Sequence, residues 1–108
     1  MKSLAAKRSA TKTKLNQLTL GHYRSEGWTL DSAERYILQA RRMKDLFGFI
    51  DLMALQPKLP VLAIQVTDGV HHTARRKKIL SEPNAKLWLQ SGNIIHLVSW
   101  QKRKDEIM

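Results

Sequence analysis

Two stretches of the chain are apolar at nearly every position. Residues 46–55 are rich in Phe, Leu and Ile, with Asp51 the one charge, and residues 61–67 (Val-Leu-Ala-Ile-Gln-Val-Thr) are dominated by branched aliphatic side chains. Runs that are apolar on both faces belong to central strands covered from both sides. The segment between them, Gln56-Pro57-Lys58-Leu59-Pro60, cannot continue a strand because each proline removes a ladder donor, so the two runs predict a hairpin. Ile94–Trp100 alternates His96 and Ser99 among apolar positions and predicts a last strand.

Helical spacing appears elsewhere. Leu15, Leu18 and Tyr23 fall on one face of a helix that Thr11 or Thr13 would cap and Gly27 would end. After Asp68-Gly69 a helix is expected over 70–80, with four consecutive cations from Arg75 to Lys78. Ser81-Glu82-Pro83 opens a second, over 84–90, which Gly92 ends. Residues 28–38 suggest one irregular strand or two short ones broken near Asp31-Ser32, preferred to a short helix over 31–39; the polar run 39–44 reads as a turn. Together these predict an α/β protein whose central mixed four-stranded sheet is flanked by helices. The crossover after Thr67 should lay the last strand parallel to 61–67.

Length and composition narrow the partners. At 108 residues there is room for one core, assigned to 13–104, between a basic N-terminal tail over 1–12 and a short C-terminal tail over 105–108. The absence of cysteine excludes disulfides and thiolate metal sites. No apolar run approaches the roughly 18–20 residues that cross a bilayer, and no apolar segment follows the basic opening, so no membrane partner or signal peptide is expected. Nineteen Lys and Arg against nine Asp and Glu give a net charge of +10 and a pI near 10.3. Nucleic acid is the commonest partner of such a surface.

The candidate chemistry lies in polar residues inside the apolar strands. A hairpin centred on Lys58 sets Asp51 opposite Gln65, with Cβ atoms about 5 Å apart. An unpaired buried carboxylate is costly. The two side chains are therefore either a self-satisfied hydrogen-bonded pair or half of a hard-cation site, since Mg²⁺ takes one or two carboxylates and accepts an amide oxygen.

Lys44-Asp45-Leu46-Phe47-Gly48-Phe49-Ile50-Asp51, then Ile64-Gln65-Val66-Thr67, then His72, Arg75 and Lys78 on a basic helix, resemble the PD-(D/E)XK nuclease superfamily. The likeness runs from about Thr11 to Arg103 and is greatest to small phage and bacterial proteins in which Gln-x-Thr replaces Glu-x-Lys; archaeal Holliday-junction resolvases are similar in size and layout. The resemblance implies a restriction-endonuclease-like core and a Mg²⁺- or Mn²⁺-dependent nuclease in the cytoplasm of a bacterial or phage-infected cell. DNA is the more strongly implied substrate, with structure or end selectivity. It implies Asp51, Gln65 and Glu34 as metal ligands and Lys78, on one helix face with His71 and Arg75, in place of the lysine that Thr67 displaces. Asp45 falls in the matching segment without an assigned role. A homodimer would be expected for paired cuts. The alternatives are a nucleic-acid-binding module that keeps the nuclease fold without activity and a structural protein of a nucleoprotein particle.

Phosphate contacts are expected from Arg75, Arg76, Lys77, Lys78, His71, His72, Thr67, Arg42 and Lys44. His71 and His72 point about 100° apart on a helix and make a poor zinc pair. Trp28, Trp88 and Trp100 read as core rather than as stacking platforms.

Overall fold

In the computed structural model, which describes residues 4–100 and 104–108, the chain opens with α1 (Leu4–Ser25). Then come β1 (Thr29–Ser32), β2 (Glu34–Ile37), β3 (Arg42–Asp45), β4 (Leu52–Leu55) and β5 (Leu62–Asp68). The helices α2 (His72–Ser81) and α3 (Pro83–Gln90) lead to β6 (Ile94–Trp100) and β7 (Lys104–Ile107). A mixed five-stranded sheet, in the order β1-β4-β5-β6-β7, is parallel only between β5 and β6; β2 and β3 form a separate antiparallel ribbon. Among the described residues no helix is long and apolar enough to cross a membrane.

The sheet is covered on both faces, which is why β5 is buried from Leu62 to Thr67. Leu62, Ile64 and Val66 pack with Tyr23, Leu15 and Leu20 of α1, while Ala63 lies with Ile79, Ala85 and Trp88 of α2 and α3. Polar bonds help fix α1 on the sheet: Tyr23 Oη meets His96 Nδ1 at 2.8 Å, and Trp100 Nε1 donates to Thr19 Oγ1 at 2.8 Å. Burial of the His96 imidazole lowers its pKa.

Several expectations need correction. The first helix begins at Leu4 and absorbs most of the region read as a tail, because Leu4, Ala5 and Ala6 extend the helical run and the basic residues after them are good helix formers. Residues 105–108 are not a tail: β7 pairs with β6, and Met108 N donates to the Ile95 carbonyl at 2.8 Å. The sheet thus has five strands rather than four. Its last strand is short and charged, as suits an edge, and leaves no apolar period to read. The basic residues Lys102 and Arg103 lie outside the described residues. The polar run 39–44 is a turn only to Arg41; Arg42 and Lys44 belong to β3, in a ribbon exposed on both sides and therefore without hydrophobic alternation.

The apolar run 46–55 is not one strand. Phe47 (φ 53°) and Gly48 (φ 84°) both take left-handed backbone and turn the chain so that Leu46 bridges Ile50. Phe49 and Ile50 then drop into the core, fully buried. A Cβ on Gly48 would lie 2.8 Å from Glu82 Oε2. Gly48→Ala should therefore lower unfolding free energy by about 1–3 kcal/mol in urea titration, from strained backbone and contact with the Glu82 side chain. An unchanged midpoint would show that the turn relaxes freely.

Candidate metal centre and basic cleft

The β4–β5 ladder has the expected register, Leu52 opposite Ile64 and Met53 opposite Ala63. It stops one residue short of Asp51, whose N–H bends back to the Ile64 carbonyl at 3.0 Å. Val66 N–H is left facing the Asp51 side chain, and Asp51 Oδ2 accepts from it at 2.7 Å. Gln65 Nε2 donates to the same oxygen at 2.9 Å, so the proposed neighbours do meet.

A third donor was not anticipated. Lys12 Nζ lies 2.7 Å from Asp51 Oδ2 and also donates to the Val66 carbonyl. Lys12, Asn16, Thr19 and Tyr23 follow one another at helical spacing along one stripe of α1. The Thr19 and Tyr23 bonds that seat the helix on the sheet therefore carry Lys12 to the end of β5. Its side chain keeps 31% exposure, against 1% for that of Asp51.

The turn at Phe47-Gly48 brings Asp45 back beside Asp51, and the β2–β3 register places Glu34 opposite Asp45. Ligand oxygens of Glu34, Asp45 and Asp51 all lie within 4.8 Å of one another. Burial is the main cause that pushes the Asp51 carboxyl above its usual pKa, and the Glu34 carboxyl beside it adds to this while Lys12 opposes it. Asp45 is raised by burial first and by its Asp51 neighbour second, against Lys78 and Lys12. Three carboxyls crowded within 4.8 Å of one another, two of them, Asp45 and Asp51, with raised pKa values, form a locus that favours a cation.

Two further atoms point the same way. Asp51 Oδ1 and Gln65 Oε1 are buried, and neither has a hydrogen-bond partner. Both residues are at most 1% exposed, and both line the same cleft as Glu34 and Asp45. Buried oxygens without donors are costly, and oxygen-only ligand sets suit Mg²⁺ or Mn²⁺. The donor set fits a hard divalent ion.

The cleft has a volume of about 1120 Å³, above the roughly 300–1,000 Å³ of small-molecule pockets, and it is open to solvent. Arg75 and Lys78 of α2 line it, with His71 at the N-cap just before that helix, and Thr67, Arg42 and Lys44 line it too. Lys78 does not reach Asp51: its Nζ pairs with Asp45 Oδ2 at 3.5 Å. Arg76 turns away to Glu106 Oε1 at 2.9 Å, and His72 bonds Ser99 Oγ and faces Glu106, so these two hold β7 rather than the cleft. Lys77 is exposed and outside the cleft lining. His71 is held through Asp68, which accepts from its backbone N–H at 2.9 Å.

Sequence reasoning missed Lys12 and gave Asp45 no role. The signal for Lys12 is its place in the inward stripe of α1, legible only once the helix is extended into the basic region. Asp45 is legible only from the turn that follows it. Comparison with protein-family models, curated proteins and solved structures finds no match to this chain.

Proposed function

We propose that the protein is a divalent-metal-dependent nuclease with a restriction-endonuclease-like core. The observation that carries this reading is the convergence of three carboxyls, a donorless amide oxygen and a lysine in one cation-lined cleft. Glu34, Asp45, Asp51 and Gln65 are the residues that would hold Mg²⁺ or Mn²⁺. When bound, such an ion supplies Lewis-acid polarisation of a phosphodiester and acidifies water for attack. The chain's own groups do the rest. Arg42, Lys44 and Arg75 supply positive charge for the flanking phosphates. Lys12, set against Asp51 but still part-exposed, is placed to offset charge that grows on the phosphoryl oxygens or to orient the attacking water. Gln65 lowers the site's negative charge by one relative to an acid, so metal affinity should be modest.

The test is incubation with supercoiled, single-stranded and four-way-junction DNA in Mg²⁺ or Mn²⁺. Cleavage is expected with either ion, none in EDTA and none from Asp51→Ala. Salt-sensitive binding of all substrates without a cut in any divalent ion would favour the inactive binding module instead.

A further inference from the structure

The β2–β3 ribbon has two unlike faces. Residues directly opposite in an antiparallel pair share a face, so Arg35, Lys44, Ile37 and Arg42 stand on one side. Glu34, Asp45, Tyr36 and Met43 stand on the other. On that second face Tyr36 is 56% and Met43 52% exposed, although they are directly opposite each other. Neither belongs to either core cluster. Two residues along a strand span about 7 Å, so this apolar pair lies that far from the Glu34–Asp45 carboxylates. Met43 lines the cleft together with both carboxylates.

A phosphate and the base of its own or the next nucleotide are separated by a distance of this order. Arg41, Arg42 and Lys44 line the cleft with Met43, Arg42 and Lys44 from the ribbon's other face, and none is ion-paired among the described residues. An exposed aromatic ring with a polarizable neighbour, beside a cation-lined cleft, has the composition of a single-strand stacking platform. A base inside a duplex has both faces occupied by its neighbours and cannot use the platform without being unstacked.

We propose that Tyr36 and Met43 form a subsite for an unpaired nucleobase beside the phosphate that a divalent ion on Glu34, Asp45 and Asp51 would hold. The substrate is then a nucleic acid with a splayed or single-stranded nucleotide at the cut, such as a flap, frayed end or branch point. This deepens the nuclease reading and rests on it for what happens at the phosphate.

The test reads binding, not cleavage. Single-stranded DNA and RNA oligonucleotides carrying 2-aminopurine are titrated with the full chain in EDTA, beside a blunt duplex with the same base paired. Wild type and Tyr36→Phe should quench the unpaired base on binding. Tyr36→Ala should lose the quench and bind the single strand about tenfold more weakly. Its salt slope should be unchanged, because no phosphate contact is removed. Duplex affinity should be the same for all three. A Tyr36-dependent quench with DNA, RNA or both supports the subsite, and the two strands tell which sugar it accepts. Equal quench and affinity in Tyr36→Ala overturn it, as does a lost quench accompanied by equal loss of duplex binding. Cleavage in Mg²⁺ without a Tyr36-dependent quench removes this inference and leaves the nuclease; the quench without cleavage does the reverse.

Discussion

In the proposed nuclease, Lys12→Met should cleave about 100- to 1,000-fold more slowly than the wild type, the loss expected when one preorganised donor is withdrawn from a developing charge. Lys78→Ala should cost about fivefold or less, as befits a half-exposed ion pair. The contrast follows from position. Lys12 Nζ is 2.7 Å from the most buried carboxylate of the site, whereas Lys78 reaches only Asp45, at 3.5 Å. Methionine keeps the apolar stem of the lysine, so the helix stripe stays filled. Some stability will be lost, because Asp51 then keeps its buried charge without a cation beside it. Rates are therefore compared at a temperature where thermal melts show both variants folded, and Lys12→Arg serves as the charge-retaining control. Equal rates for Lys12→Met and wild type would remove Lys12 from the mechanism. A loss in Lys78→Ala as large as that in Lys12→Met would return the role to α2.

How much of this was legible varied with what each residue answers to. Ile94–Trp100 and the β5 run were plain because burial on both faces writes itself into consecutive apolar residues. The pairing of Asp51 with Gln65 followed from counting outward from Lys58, since a proline-flanked turn leaves little freedom in register. Lys12 was hidden because its place depends on helix α1 docking by Thr19 and Tyr23, a tertiary fact that a basic, weakly patterned segment does not record. The turn after Asp45 was hidden for the opposite reason. Leu46, Phe49 and Ile50 are apolar because they fill the core, and the same composition would serve a continuous strand; only Gly48 marked the break. The exposed ribbon and β7 carry no alternation, since neither has a buried face of any length.

The same crowding of carboxyls predicts how metal and protons compete. Burial raises the pKa of Asp45 and of Asp51 in the folded protein, and their mutual approach raises Asp45 further. The native state thus binds more protons than the unfolded chain between the two sets of pKa values. Metal-free stability therefore gains from these groups as pH falls through their folded pKa values and loses as pH rises. A divalent ion needs the ionised forms, so its stabilisation runs the other way and grows with pH. At a free ion concentration of about 100 times Kd the gain is about 2.7 kcal/mol, which for a domain of this size is a rise in Tm on the order of 10 °C. The measurement is Tm with Mn²⁺ minus Tm in EDTA, taken between about pH 5 and pH 8. His96 acts in the opposite sense. Its imidazole is kept neutral by burial, so the unfolded chain takes that proton first and stability falls as pH drops. That contribution is common to both melts and cancels in the difference. The difference should increase toward pH 8, vanish in Asp51→Ala, and be larger in Gln65→Glu, where the amide that lacks a partner for Oε1 becomes a fourth carboxylate. A difference that survives Asp51→Ala would place the bound ion elsewhere on the chain.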